Sequence, residues 1–182
     1  MPKQPKNHTV VLGVTGSIAA YKAADLTSKM TTAGLDVHVI MTANAQRFVT
    51  PLTFQTLSRN PVVTGLWDNP AWEPEHIALA ERASLLVIAP ASADILAKMA
   101  RGLADDALST YCLSHSGPII VAPAMNPRMW THPATQANIR ILHERNVFFA
   151  GPACGRVACG EEGYGRMQEV PGILSCVLEH LK

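Results

Sequence analysis

The sequence predicts a doubly wound α/β domain, in which helices cover both faces of a parallel sheet. Short, continuously apolar runs alternate along the chain with segments of helical spacing, and uninterrupted apolar strands are typical of parallel sheets buried on both faces. The chain has 182 residues, a length that suits one domain around a single core. We therefore expect residues 1–182 to form one domain with right-handed crossovers between its strands.

Five apolar runs are predicted as strands. The first, TVVLGV, precedes a glycine turn, and the third, LLVIA, is expected to end at Pro90, because proline has no N–H for the sheet. In chain order, the predicted strands are residues 9–14, 36–41, 85–89, 118–121 and 147–149.

Helices are predicted between the strands. Gly34 and Gly102 are predicted stop signals, because glycine adopts the left-handed conformation that commonly follows a helix. Within the first helix, one face is expected to hold Ile18, Tyr21, Leu26 and Met30. The predicted helices are residues 17–32, a short segment that begins near His76, and residues 92–101, 105–113, 131–145 and 172–181.

The composition argues against proteins that bind nucleic acid, membranes or metal ions. The formal net charge is +1 and no basic cluster is present, so we expect neither nucleic acid nor a membrane surface as a partner. The four cysteines form no CxxC pair and no zinc-like set with histidine, which argues against a metal site. The polar N-terminal segment MPKQPKNH is unlike a signal peptide, so a cytoplasmic protein with reduced thiols is expected. Only 16% of the residues are charged, which suggests that part of the surface is buried against copies of the chain or a partner.

The carboxyl ends of the strands are the expected ligand site. Open parallel α/β sheets bind ligands there, near the point where the strand order reverses. The segments that directly follow the predicted strands are residues 15–17, 42–45, 90–94 and 122–130, together with the glycine-rich residues 151–167.

The first of these segments, VTGSIAAYK, carries Gly16 and Ser17 at a turn from strand to helix. Backbone N–H groups at such a helix start attract anions, and a glycine lets a phosphate approach the main chain. The three-glycine dinucleotide fingerprint is absent, which favours a mononucleotide phosphate. A simple turn capped by Ser17 explains the segment equally well. Thr42, Ser92 and Asp94 likewise fit either helix caps or ligand contacts.

The segment APAMNPRMW is apolar and broken by two prolines, yet it holds the amide of Asn126. Met125 and Met129 flank that amide and can pack on flat aromatic surfaces, so the segment fits a ligand with an aromatic part and a polar group. The alternative is a strand end with a proline-rich turn and an asparagine cap.

The glycine-rich residues 151–167 are predicted to be a mobile flap that closes over a ligand. Cys159 lies in this flap and could act as a proton donor or nucleophile, with Cys154 as the competing thiol. His76, at the start of a short helix, could do acid–base work or hold a carboxylate. For both residue types the alternative is an ordinary structural or solvated side chain.

Four motifs give these segments a common interpretation. They are GVTGSIAAYK, PASADILAKMARGLADD, PAMNPRMW and ACGEEGYGRM. Together and in this order, they resemble the flavin-containing cysteine decarboxylases, and the resemblance covers nearly the whole chain, from about Val10 to about Val170. It implies a flavodoxin-like, Rossmann-related three-layer α/β/α fold. It also implies homotrimers, often assembled into a homododecamer, with FMN bound at a subunit interface.

The resemblance implies a role for each candidate residue. His76 and Cys159 match the catalytic residues, and Asn126 matches the residue that holds the substrate carboxylate. Met129, Ala158 and Gly160 are the further implied substrate contacts. The implied FMN contacts run from the phosphate to the isoalloxazine ring and are Gly16, Ser17, Ile18, Thr42, Phe48, Ser92, Ala93, Asp94, Ile95, Ala124 and Met125. Asp94 stands where many members of the family carry asparagine.

The implied activity is decarboxylation of 4'-phosphopantothenoyl-cysteine to 4'-phosphopantetheine in coenzyme A biosynthesis. The flavin oxidises the substrate thiol to a thioaldehyde, the C=S group accepts electrons as carbon dioxide leaves, and hydride and a proton return to the enethiol. The resemblance assigns that proton to Cys159. Bacterial members are often fused to a C-terminal synthetase domain, so we expect either a stand-alone enzyme or the N-terminal half of such a protein.

Three other functions fit parts of the pattern. A peptidyl-cysteine decarboxylase of the same family would stop at the enethiol and would not need Cys159. A flavin prenyltransferase would share the fold but lack His76, Asn126 and Cys159. A non-catalytic FMN-binding regulatory subunit would lack the histidine or the cysteine. All three residues are present, which favours the decarboxylase that completes the reduction.

Overall fold

A six-stranded parallel sheet organises the chain. The computed structural model describes residues 8–66, 75–156 and 160–182, with the side chains of residues 75–78 left out. The strands are β1 (Thr9–Val14), β2 (Asp36–Met41), β3 (Val62–Val63), β4 (Leu85–Ala91), β5 (Ile119–Pro123) and β6 (Val147–Phe149). Their order across the sheet is β3-β2-β1-β4-β5-β6, and every neighbouring pair is parallel. The predicted fold class is confirmed.

Helices cover both faces of this sheet because its strands are apolar on both sides. Val10 and Leu12 of β1 face one hydrophobic core and Val11 faces the other. The first core is covered by α1, α2 and α8, and the second by α3, α4, α5 and α7. The helices are α1 (Ala20–Thr32), α2 (Pro51–Ser58), α3 (Glu75–Arg82), α4 (Ala93–Arg101), α5 (Ala107–Ser114), α6 (Pro127–Thr131), α7 (Pro133–Glu144) and α8 (Val170–His180).

The strand order reverses between β1 and β4, and a buried hydroxyl joins the two loops that leave this point. Thr15 donates its Oγ1–H to the carbonyl oxygen of Pro90 over 2.7 Å and accepts the N–H of Ser92 over 3.0 Å. Because Thr15 is buried, these bonds are shielded from competing water and hold the two loops side by side. The two loops at the switch point are thus held in a fixed arrangement.

The start of α1 differs from the sequence prediction. The helix begins at Ala20 rather than at residue 17, and its buried face includes Met30. Ile18 and Tyr21 are 57% and 62% exposed. The prediction that these two side chains share a face with Met30 is therefore wrong, because Ile18 precedes the helix and Tyr21 lies on its open side.

The predicted glycine-rich loop also differs from the structure, because it contains an antiparallel hairpin. Its strands are β7 (Ala153–Arg156) and β8 (Glu162–Arg166), and residues 157–159 between them lie outside the described residues. Among the helices in the described ranges, none has the length and apolar character that a membrane crossing requires.

Candidate functional site

A cavity of about 640 Å³ opens at the carboxyl end of the sheet, beside the switch point. This volume lies within the range of roughly 300–1,000 Å³ that is usual for small-molecule and cofactor sites. Loops after β1, β4 and β5 form its wall together with the hairpin. The structure therefore brings the segments after three separate strands into one site. Of the predicted site residues, those on the wall are Gly16, Ser17, Ile18, Phe48, Ser92, Ala93, Ala124, Met125, Asn126 and Met129.

Three predicted FMN contacts lie off this wall, and each has a structural contact. Ile95 is 1% exposed in the core, and its N–H donates to the Ser92 hydroxyl. The Thr42 hydroxyl accepts the N–H of Ala45 over 3.3 Å. The Asp94 carboxylate lies 3.6 Å from the Lys98 ammonium.

Lys98 holds three acidic side chains together in α4 and the segment that follows it. Its ammonium also contacts Asp105 and Asp106 at 2.8 Å and 3.1 Å. Burial alone would lower the pKa of Lys98, but the hydrogen bonds to these two carboxylates raise it above its ordinary value. The charge of Asp94 is thereby balanced within its own helix. The cap of α4 is Ser92, whose hydroxyl accepts the N–H of Ile95, so Asp94 is not the cap residue.

The two predicted catalytic side chains, His76 and Cys159, lie outside the part of the chain that the structure describes. His76 lies in α3, but its side chain is outside the described residues, as are Ala158 and Cys159. Gly160 is described, is exposed and has a φ of +87°. The roles of all four residues remain predictions.

The N-terminus of α1 lies beside the cavity. Its N-cap is Ala19, which makes no side-chain cap bond, and the hydroxyl of Ser17 accepts the N–H of Ala19 over 3.3 Å. The positive end of the helix dipole therefore faces the cavity. Gly16 brings the loop after β1 against the loop after β2: a Cβ at this position would lie 2.5 Å from the Cβ of Asn44. Thr42 begins that second loop, and its N–H donates a hydrogen bond to the carbonyl oxygen of Val14 at the end of β1.

Asn126 both caps α6 and lines the cavity. Its Oδ1 accepts the N–H of Arg128 over 2.8 Å, and its Nδ2 donates to Oε2 of Glu161 over 3.0 Å. Pro127 at the first helical position is suited to this start, because it has no N–H to satisfy. The two interpretations left open by the sequence, a helix cap and a ligand contact, are therefore compatible.

The hairpin lies directly on the segment that carries Asn126. The N–H of Met125 donates to the carbonyl oxygen of Gly165 over 2.9 Å. A Cβ at Gly165 would overlap the carbonyl oxygen of Met125, and one at Gly163 would lie 3.0 Å from Pro127. Alternate glycines in β8 thus form a flat surface on which the 125–127 segment packs.

Substitution of Gly165 by alanine is expected to unseat the hairpin. The added Cβ overlaps backbone, and the φ of +142° disfavours a side chain, so we expect a loss of about 2 kcal/mol in unfolding free energy and faster proteolysis between β7 and β8. Urea unfolding and limited proteolysis measure the two effects. Gly160→Ala is the matched control, because its φ is also positive but its Cβ would meet no atom of the described residues within 4 Å. Equal losses in both variants would show that overlap with Met125 is not the cause.

Cationic side chains on the cavity wall were missed by the sequence reasoning. Lys22, Arg156 and Arg166 all line it. Lys22 lies 3.1 Å from the carboxylate of Glu169, which also pairs with Arg166. The hydrogen bond from Lys22, more than any other contact, holds the pKa of Glu169 below its ordinary value. These contacts join α1 to the end of the hairpin. The three cations give the cavity wall a positive character, which Glu169 offsets in part and which favours anionic ligands.

Relatives of this chain include two bifunctional proteins. The coenzyme A biosynthesis bifunctional protein CoaBC of Bacillus subtilis is 46% identical over 176 residues, which are 96% of this chain and 43% of that protein. The protein of the same name from Escherichia coli is 43% identical over 173 residues, which are 94% of this chain and 42% of that protein. The chain therefore spans less than half the length of these relatives.

Solved structures share the whole fold. A PPC decarboxylase mutant complexed with pantothenoylaminoethenethiol superposes with a TM-score of 0.86 at 31% identity, over 97% of this chain and 99% of that one. The FMN binding protein AtHal3 has a TM-score of 0.81 at 32% identity, over 96% of each chain. The peptidyl-cysteine decarboxylase EpiD, at 22% identity and a TM-score of 0.82 over 95% of this chain and 99% of that one, shares the fold alone. The sequence model described as Flavoprotein matches residues 1–182, and with this agreement in fold the chain belongs to the flavoprotein family.

Proposed function

We propose that this chain is an FMN-dependent carboxy-lyase that converts 4'-phosphopantothenoyl-cysteine to 4'-phosphopantetheine in coenzyme A biosynthesis. The observation that carries the proposal is the amide of Asn126, fixed on a cavity wall between an uncapped helix N-terminus and the hairpin. The named functions of the relatives and of the PPC decarboxylase structure support it.

The residues of the cavity fit FMN. The N-terminus of α1 and the loops joined at Gly16 would receive the phosphate. Phe48, Ala124 and Met125 offer apolar surface to the ring system. When bound, FMN supplies the two-electron oxidation of the substrate thiol and the later return of hydride.

The residues of the chain orient the substrate and move its protons. Loss of carbon dioxide requires an electron sink on the neighbouring carbon, which the C=S group of the oxidised substrate provides. The Asn126 amide would hold the carboxylate before it leaves, and His76 would assist thiol oxidation or orient that carboxylate. Cys159 would give a proton to one carbon of the enethiol double bond while hydride adds to the other. Met129 and the hairpin, with Ala158 and Gly160, would cover the substrate and exclude water.

A second copy of the chain is proposed to complete the site. Large apolar side chains around the cavity are about half exposed, among them Tyr21 at 62%, Phe48 at 50% and Met129 at 49%. Such a rim is costly in water and typical of a surface that is covered in an assembly. We therefore propose a homotrimer or a homododecamer in the cytoplasm, with the synthetase activity on the same polypeptide or on a partner.

One assay tests the proposed function. The purified protein is expected to be yellow, and incubation with 4'-phosphopantothenoyl-cysteine should release carbon dioxide and 4'-phosphopantetheine in equal amounts. A protein that takes up no FMN would reject the proposal. Turnover of a peptide that ends in cysteine, without turnover of the phosphorylated substrate, would instead establish a peptidyl-cysteine decarboxylase.

Cys159→Ser is expected to stop the reaction after decarboxylation. A serine hydroxyl is a much weaker acid than a thiol, so reduction should fail while oxidation and loss of carbon dioxide continue. Mass spectrometry should then detect the enethiol in place of the thiol product. Cys154→Ser is the matched control, because it changes the other thiol of residues 151–167, and it should leave the product unchanged. Normal 4'-phosphopantetheine formation by Cys159→Ser would exclude the proton-donor role.

A further inference from the structure

The geometry assigns a positioning role to Glu161, a residue of the hairpin: its carboxylate aims the Asn126 amide at the substrate. This inference rests on the proposed function of Asn126 as the group that holds the substrate carboxylate. Glu161 was not among the candidate residues from the sequence, where it belongs to a run of two glutamates between glycines. It directly precedes β8.

Contacts at both ends fix the amide of Asn126. The backbone N–H of Arg128 donates to Oδ1, and Oε2 of Glu161 accepts from Nδ2. A flipped amide would face an N–H with its NH₂ group and a carboxylate with its carbonyl oxygen, so both contacts would become repulsive. The contact with the Glu161 carboxylate therefore favours the same orientation of the Asn126 amide as the helix cap does, with the donor group pointing toward residue 161.

The same contact links this orientation to the position of the hairpin. β8 packs on the 125–127 segment through Gly163 and Gly165, and Met125 donates its N–H to Gly165. Glu161 reaches Asn126 from this packed position. The amide is consequently held in one orientation when the hairpin is seated, which is also the arrangement that would shield the substrate from water.

Arg128 stabilises the carboxylate but is not needed for the aim of the amide. Its guanidinium lies 3.0 Å from Oε1 of Glu161, the oxygen that does not accept from Asn126. The Arg128 side chain is 85% exposed, and an ion pair this open to solvent contributes little. The orientation of the Asn126 amide therefore depends on its hydrogen bond to Oε2 and not on the ion pair. A neutral acceptor at residue 161 should preserve that orientation.

Three variants of the FMN-loaded full chain test this role. Glu161→Ala removes the acceptor, Glu161→Gln keeps an acceptor without the charge, and Arg128→Ala removes the ion pair alone. For Glu161→Ala we expect KM for 4'-phosphopantothenoyl-cysteine to rise about tenfold or more, with flavin content and melting temperature close to wild type. The other two variants should stay within about fivefold of the wild-type KM. If Glu161 had a purely structural role, its replacement would lower the melting temperature, and KM would not differ in this way between Glu161→Ala and the other two variants.

Defined outcomes would overturn the inference. Wild-type KM in Glu161→Ala would do so, and so would equal losses in Glu161→Gln or Arg128→Ala, because the ion pair would then be the important contact. The side-chain amide resonances of Asn126 in an NMR spectrum provide a readout that needs no turnover. They should shift and become mobile in Glu161→Ala and remain in place in Glu161→Gln. If the wild-type protein does not turn over the substrate while these resonances behave as expected, the proposed function fails and the positioning contact stands.

Discussion

Substitution of Asn126 by aspartate is expected to abolish decarboxylation while FMN remains bound. Aspartate has the same shape and can still accept the N–H of Arg128, so α6 keeps its cap. The group that replaces Nδ2 is a carboxylate oxygen, which would face the carboxylate of Glu161 and that of the substrate. Loss of a hydrogen bond to a charged group, together with repulsion between like charges, should lower kcat/KM by at least about 100-fold.

The controls for this variant separate the substrate from the cofactor. Flavin absorbance per chain should equal that of the wild type, since Asn126 is proposed to contact the substrate. Asn146→Asp is the matched control: it adds the same charge at an exposed turn, and aspartate tolerates its φ of +58°. This control should retain wild-type turnover. Loss of flavin in Asn126→Asp would mean that the residue serves FMN, and undiminished turnover would reject any role in the reaction.

The central strands were predictable because their sequence signals are local. β1 and β2 have the bounds expected from their apolar runs, since residues buried on both faces must be apolar almost without interruption. α4 likewise begins after Ser92 and ends before Gly102, as its cap residues indicate. The edge strand β3 has only two residues, too few to give a periodic pattern, and it was missed.

The hairpin could not be predicted because contacts distant in sequence stabilise it. Glycine is unfavourable in strand interiors, so a stretch such as EGYGR is typical of a loop until its partner surface is known. That surface is the 125–127 segment, against which glycine is needed. The ion pair of Lys22 with Glu169 joins residues 147 positions apart, and the sequence contains no signal for their meeting.

The candidate site was predicted where it follows from topology. Segments after β1, β4 and β5 meet at one cavity because parallel strands end at the same edge of the sheet. The orientation of individual side chains did not follow from topology. The side chain of Ile95 lies in the core, and its backbone N–H donates to the hydroxyl of Ser92, so its proposed contact with FMN stays a prediction.

Substitution of Gly16 by alanine is expected to remove FMN from the protein. A Cβ at this position would lie 2.5 Å from that of Asn44, so the loops after β1 and β2 would have to separate. The proposed phosphate contacts Ser17 and Thr42 belong to these two loops, and their separation would break hydrogen bonds to a charged group. We expect the dissociation constant for FMN to rise by at least about 100-fold and the purified protein to be colourless.

A compensating substitution tests the steric reason for this effect. Asn44→Gly removes the atom that the new Cβ would meet, and the remaining Asn44 backbone atoms lie 3.4 Å and 3.5 Å from that position, at ordinary contact distance. The double variant Gly16→Ala with Asn44→Gly should therefore recover most of the affinity for FMN, as measured by flavin fluorescence titration. Unchanged affinity in Gly16→Ala alone would contradict the prediction. Failure of the double variant to recover would instead indicate that the methyl group blocks the phosphate itself, so that Gly16 is required for the ligand and not for the approach of the two loops.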